Sequence, residues 1–344
     1  MTRPDLSSGL TKQRERPIAG PPKQPFWSEN LLFALYDPDC DIGLWLHLGT
    51  VPSDWQLWED RVLMLLPGDQ GVGSMCGYHR TPEPKRPSAS CLAFECLEAY
   101  RRWRITFDGF FQRTSNARMA EGRALHGRQQ RLRIDLEARC ATAVWDAHQA
   151  ELATGKASSG GAVFAKEHYE QLVRASGRVT VGETEYAFNG TGWRNHSCGP
   201  RGGGSGAPWG GHVIQTCLFP SGRGIGLARY WMPNGEISLE SAYVVDEHGA
   251  LHHAQIVDAS RLTSLQLSGE RLPVALRWEG GELRLTAETR RSLWASMAHD
   301  LAVGVDLSGP GLIYALNFAP VHWNGETGWL YSERSNVLNK RPNA

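Results

Sequence analysis

Arg131-Leu132-Arg133-Ile134-Asp135-Leu136-Glu137-Ala138 places an apolar residue at every second position and a charged one at each position between. A period of two puts the apolar set on one side of an extended chain and the charged set on the other, which describes a strand with one buried face. The same alternation runs through Val274-Ala275-Leu276-Arg277-Trp278 and Leu283-Arg284-Leu285-Thr286-Ala287, joined by Glu279-Gly280-Gly281-Glu282. A glycine pair between two alternating runs predicts a hairpin, because its tight turn needs positive φ at both central residues.

Working outward, residues 30–36, 43–49, 61–66, 91–96 and 103–107 also read as strands. Turn dipeptides at Asp37-Pro38, Pro67-Gly68 and Asp108-Gly109 punctuate the first half, and Pro233-Asn234-Gly235 and Glu247-His248-Gly249 the second. One interior segment reads differently. Val163 to Ser176 carries Phe164, Tyr169, Leu172 and Val173 near helical spacing and stops at Gly177, which predicts a helix with a C-terminal glycine. It follows the linker-like run Ala157-Ser158-Ser159-Gly160-Gly161. The expectation is an all-β, mainly antiparallel chain: a flexible tail over 1–25, a β domain over 26–160, a connecting helix over 161–178 and a second β domain over 179–344. So many short strands have exposed edges, and closing or stacking the sheets removes them, so barrels or sandwiches are expected.

Composition narrows the partners. Lys and Arg together number 36, as do Asp and Glu, so no global field draws the chain to nucleic acid or an anionic membrane. Seven cysteines without a CxxC pair write neither a disulfide framework nor a zinc knuckle, and reduced thiols fit a cytoplasmic location. No signal-peptide core and no apolar run of about 20 residues is present, so a soluble protein without a transmembrane segment is expected. Thirteen tryptophans offer broad indole faces for a core or a cavity. The glycine run 199–211 lacks the lysine of a phosphate loop, and His248, His252 and His253 flank a turn without other ligands at recognised spacing. Neither a cofactor nor a metal is expected.

A more specific pattern joins His168-Tyr169-Glu170-Gln171 to Gly190-x-Gly192-x-Arg194-Asn195-His196-Ser197-x-Gly199-x-Arg201, with a closing strand over Gly325 to Glu333. It resembles the tandem lipocalin-like proteins grouped with AttH and carotenoid 1,2-hydratase (hydroxyneurosporene synthase), from about Trp27 to Arg334. The resemblance implies two lipocalin-like domains. It also implies cofactor-independent hydratase, cyclase or cycloaddition chemistry on isoprenoid or polyketide skeletons, although many members have no assigned reaction. Asn195 stands where the family pattern has an aspartate and Cys198 where it has a tryptophan. An amide cannot donate a proton as a carboxylic acid does, so an acid role at that position is lost or moved.

Alternation sets Arg194, His196 and Cys198 on one face and Trp193, Asn195 and Ser197 on the other. A guanidinium beside an imidazole can bind a carbonyl or carboxylate and move a proton, or the group can form a buried polar latch with Arg194 or Arg201 capping loop carbonyls. Trp329, Tyr331 and Glu333 share another face, where aromatic rings can hold a cation and desolvation can keep Glu333 neutral as an acid; an exposed carboxylate or a salt bridge is the alternative. The catalytic expectation is therefore His196, Arg194 and Glu333, with Trp193, Asn195, Arg201, Trp329, Tyr331 and Tyr243 in ligand binding. Three functions stay open: a lyase or isomerase that hydrates, cyclises or isomerises a small hydrophobic metabolite (isoprenoid, steroid-like, polyketide or aromatic), a carrier without turnover, and a module with a filled core.

Overall fold

The computed structural model describes residues 4–18, 20, 22–52, 54–80, 90–121, 127–155, 167–200, 210–296 and 311–338. The first ten strands are Trp27–Asp37 (β1), Ile42–Val51 (β2), Asp54–Leu65 (β3), Val72–Arg80 (β4), Leu92–Glu98 (β5), Arg102–Thr114 (β6), Arg128–Cys140 (β7), Trp145–Asp146 (β8), Glu167–Val181 (β9) and Thr184–Pro200 (β10). The remaining nine are Gly211–Leu218 (β11), Gly224–Trp231 (β12), Ile237–Val245 (β13), Leu251–Ala259 (β14), Arg271–Trp278 (β15), Gly281–Glu288 (β16), Arg291–Ser296 (β17), Gly311–Trp323 (β18) and Glu326–Leu338 (β19). The alternation that announced β7 is realised directly: Leu132, Ile134, Leu136 and Ala138 are buried and Arg133, Asp135 and Arg139 exposed. The expected hairpin joins β15 to β16, but Trp278 pairs with Gly281, so the central residues are Glu279 and Gly280 and neither has the positive φ that the glycine pair predicted.

All pairings are antiparallel, as the fold-class reading required. In the first sheet the order is β10-β1-β2-β3-β4-β6-β7-β9, and β9 pairs with β10 again, so eight strands close on themselves into a barrel. β5 lies against β6, and β8 against β9. The second sheet runs β16-β15-β14-β13-β12-β11-β19-β18-β17. Odd-numbered residues of β1 (Leu31, Phe33, Leu35) fill the first barrel with Trp103 and Phe107. Even-numbered ones (Leu32, Ala34, Tyr36) face the second sheet, where they meet Tyr243, Phe318 and Tyr331 in a shared apolar layer. Val213, Cys217, Leu272 and Leu276 form a separate core within the second sheet.

Three expectations need correction. Residues 167–176 form most of β9 and are strand, not helix, while 163–166 of the expected helix lie outside the described residues. The segment pairs with β10 along its whole length, with β8 at 169–170 and with β7 from Val173 onward, and these ladders on both sides satisfy its backbone groups in a way that outweighs a weak helical spacing. With β9 and β10 in the first barrel, the first sheet extends to Pro200. Asp108-Gly109 does not turn; it lies within β6, and Gly109 leaves room for the Cys91 thiol, whose sulfur would be 2.6 Å from an added Cβ. The N-terminal segment is not a loose tail throughout. A short 3-10 turn at Lys12–Glu15 buries Glu15 completely against the first barrel.

Candidate functional site

The glycines of the Gly190-x-Gly192 motif decide how the site strand is held. A Cβ on Gly192 would lie 1.9 Å from the Ala34 carbonyl oxygen, and one on Gly190 2.4 Å from that of Tyr36. β10 therefore lies unusually close to β1, and its alternate side chains divide between the barrel interior and the outer face exactly at the seam of the barrel.

On the inner face, Arg194 pairs with Glu15 at 2.7 Å, and both side chains are buried. The Arg194 guanidinium also donates to Gln171 and lies over the Trp103 and Tyr169 rings. Glu15 accepts from the Tyr169 hydroxyl at 2.8 Å, from the Trp103 indole at 3.1 Å and from the Tyr100 amide at 3.1 Å. Burial works to raise the Glu15 pKa, but the charge and hydrogen bond of Arg194, with Tyr169 and the Tyr100 amide, hold it below the usual carboxylate range. His196 has both ring nitrogens engaged: Nε2 is 2.7 Å from Glu29 and Nδ1 is 2.8 Å from the Tyr169 hydroxyl. Glu29 in turn accepts from the Ile18 amide. A cavity of about 420 Å³ opens beside this network, lined in part by Arg14, Arg16, Glu29, Tyr169, His196 and Cys198. The N-terminal segment is thus tied across the barrel end, with Nε and Nη2 of Arg194 and both ring nitrogens of His196 engaged.

The outer face of the same strands builds a second constellation between the two sheets. Across the first sheet the register sets Trp145 opposite Glu170, and Glu170 opposite Asn195. Strand alternation places His168 two residues before Glu170 on that face, with Trp193 beside them. His168 Nε2 is 2.8 Å from one Glu170 oxygen, and the Trp193 indole donates to the other at 2.8 Å. Among the described residues, His168 Nδ1, Trp145 Nε1 and the Tyr243 hydroxyl are buried without a hydrogen-bond partner. Their rings abut: Trp145 stacks on Tyr243 with centroids 5.8 Å apart and meets His168 edge-on at 6.0 Å. Burial, with the charge of Glu170, keeps the Tyr243 phenol protonated by raising its pKa well above the usual value.

The second sheet contributes Glu333. Its Oε2 accepts from the Trp45 indole at 2.9 Å and the Tyr331 hydroxyl at 2.5 Å, and its Oε1 is 3.0 Å from His212 Nε2. His212 Nδ1 is 2.6 Å from the Ser335 hydroxyl. The acid expectation for Glu333 is corrected here. Burial raises its pKa, but the hydrogen bond and charge of His212, with the Tyr331 and Trp45 donors, outweigh that and hold the carboxyl below the usual range. A carboxylate given three donors stays ionised. Tyr331 stacks on Trp193 with centroids 6.1 Å apart, which joins the Glu333 and Glu170 groups across the sheets.

The structure thus brings Trp193, Tyr243, Tyr331 and Glu333 together and leaves Arg194 and His196 on the other side of the β9–β10 wall. Asn195 is half-buried on the inter-sheet side beside Glu170. Trp329 sits at the rim, tilted against Tyr36 at 4.9 Å with Arg290 over its ring. Arg201 lies outside the described residues. His168 and Glu170 were quoted in the sequence pattern but not paired, because a helical period sets positions two apart on different faces. Trp45, Trp145 and His212 carried no local signal. Trp45 and Glu333 are 288 residues apart in sequence.

The fold has solved counterparts. An AttH-like protein of Nitrosomonas europaea superposes with a TM-score of 0.59 at 12% identity, covering 91% of this chain and 92% of that one. CghA, in a structure with Sch210972, superposes with a TM-score of 0.52 at 10% identity, covering 92% of this chain and 90% of that one. These likenesses bear out the tandem lipocalin-like architecture. The chain matches no curated protein. Over residues 13–336, which take in both sheets and every residue of the two constellations, it matches the family described as Domain of unknown function (DUF7064), and it belongs to that family.

Proposed function

We propose that the protein takes up a small, largely apolar molecule between its two sheets and moves a proton on it, as in hydration, cyclisation or isomerisation. The observation that carries this reading is His168. Its Nε2 is committed to Glu170, whose second oxygen is held by Trp193, while its buried Nδ1 has no partner among the described residues. A carboxylate accepting from Nε2–H fixes the tautomer, so the Nδ1 lone pair is left to act as the base. Once Nδ1 takes a proton, the Glu170 charge stabilises the imidazolium, which can return the proton to another atom of the substrate. Trp193, Tyr331 and Tyr243 supply apolar walls, and ionised Glu333 holds His212 of its own sheet and Trp45 of the first sheet. In this reading Arg194 and His196 hold the barrel end closed and do not touch substrate. One fold neighbour, CghA, has been solved with a small molecule, Sch210972.

A carrier is the second reading. It is favoured by the complete hydrogen-bond satisfaction of Glu333 and His212, which leaves that half of the cleft with no group to spend on chemistry. Product mass after incubation with isoprenoid, steroid and polyphenol panels separates the two. Gain or loss of water, or an isomer at unchanged mass, is expected with wild type, and His168→Asn should slow it by roughly 100- to 10,000-fold with an unchanged thermal midpoint. Quantitative recovery of every bound compound unaltered would establish the carrier.

A further inference from the structure

We propose that the Trp145 indole N–H and the Tyr243 hydroxyl form a donor pair for one oxygen of the ligand, so that the molecule held between the sheets is a neutral carbonyl compound with an acidic C–H beside the carbonyl. This rests on the reading of His168 as the base.

Both donors are almost fully buried, at 2% exposure each, and neither has a partner among the described residues. A buried donor left unmade costs free energy, and two such donors on stacked rings mark a place where an acceptor belongs. The setting chooses the acceptor. The Glu170 carboxylate lies opposite Trp145 in the register and its charge acts on Tyr243, and the Glu333 carboxylate lies across the Trp193–Tyr331 stack. A ligand carboxylate or phosphate would meet like charge there. A carbonyl oxygen carries no net charge and presents two in-plane lone pairs, one for each donor.

The seat of the phenol is fixed by its surroundings. A Cβ on Gly226 would fall 2.3 Å from the Tyr243 ring, so only glycine leaves room for it. Trp145 is set by its register opposite Glu170.

The step that follows balances without any further reagent. His168 Nδ1 takes the α proton, the C–H electron pair becomes the carbon–carbon double bond of an enolate, and the carbonyl π pair moves to oxygen. Trp145 and Tyr243 then receive the new negative charge, which is largest in the transition state and after it. Return of the proton from His168 to carbon, or to a different carbon of the conjugated system, restores the neutral imidazole.

Matched pairs test this: α-tetralone against tetralin, and fluorenone against fluorene, each differing by the carbonyl alone. Binding is read by quenching of tryptophan fluorescence, and proton transfer by deuterium uptake α to the tetralone carbonyl in heavy water. Wild type should prefer the ketones by roughly tenfold, and Tyr243→Phe and Trp145→Phe should each remove most of that preference. Ligand-free Tyr243→Phe should melt at or above the wild-type temperature, since it deletes an unpartnered hydroxyl. His168→Asn should keep the preference and lose the deuterium uptake. Equal binding of ketone and hydrocarbon, or a marked loss of stability in Tyr243→Phe, would overturn the donor pair while leaving the cleft as a binding site. Ketone preference with deuterium uptake no faster than in buffer would overturn the proton-transfer reading and keep the donor pair. Binding of none of the four compounds would overturn both.

Discussion

Glu15 shows how much a single buried carboxylate can organise. It is the acceptor for Arg194, Tyr169, Trp103 and the Tyr100 amide at once, and it ties residues far apart in sequence to one end of the first barrel. Removing it would leave the Arg194 charge buried without its counter-ion, which typically costs about 3 to 5 kcal/mol. We expect Glu15→Gln to lose stability on that scale in urea denaturation, and the double variant Glu15→Leu with Arg194→Met to recover much of it. The pH dependence follows from the lowered Glu15 pKa. A carboxyl depressed in the folded state contributes stability above its unfolded value, about 4.3, and loses it as pH falls through the lower folded value. The wild-type melting temperature should therefore drop as the medium is acidified below pH ~4, and the drop should be shallower in Glu15→Gln. A parallel loss in both proteins would show that the pair adds nothing there.

At the scale of elements, the seam between β1 and β10 depends on two positions without side chains. The Ala34 carbonyl sits where a Cβ of Gly192 would be, so Gly192→Ala must push the strands apart at the point where the barrel closes. Amide hydrogen exchange should then show lost protection concentrated in β1 and β10, with β15 and β16 of the other sheet unchanged. Uniform loss across both sheets would mean that the seam is not local. The same elements show what was legible beforehand. The alternation of residues 193–198 correctly separated Arg194 and His196 from Trp193 and Asn195, because period two survives any error in where a strand ends. The helical reading of 163–176 concealed the His168–Glu170 pair, since tertiary pairing with β7 and β10, invisible along the chain, decided the conformation. Glu15 was hidden by its neighbours: a segment rich in Arg, Lys, Pro and Ser has the composition of a tail, and only the barrel end it covers gives the Glu15 carboxylate its partners. Tyr331 and Glu333 were found together because they lie two apart on one strand, while Trp45 and His212 reach Glu333 only through the packing of one sheet on another.

For the whole molecule, the two sheets are held together by aromatic packing and by several polar ties, among them one from Trp45 in the first to Glu333 in the second. A hydrogen bond to an ionised acceptor contributes about 1.5 to 3 kcal/mol. A double-mutant cycle with Trp45→Phe and Glu333→Gln should return a coupling on that order. A coupling near zero would mean that this tie adds nothing to the packing and to the other polar links between the sheets, such as Arg291 to Asp41 and Arg174 to the Phe219 carbonyl. The layer between the sheets has two unlike ends. One holds the saturated Glu333 group, and the other holds the three unpartnered atoms of His168, Trp145 and Tyr243.

The seam has a consequence for biosynthesis. β1 pairs with β2 on one side and with β10 on the other, so the first barrel stays an open sheet on the ribosome until residues near Pro200 have emerged. Glu15 leaves the exit tunnel 179 residues before Arg194. At translation rates of roughly 5 to 20 residues per second, that is a wait of about 9 to 36 s. Through that interval the Glu15 carboxylate lacks the Arg194 guanidinium that it meets in the finished barrel, while the cationic, proline-containing segment around it favours hydration.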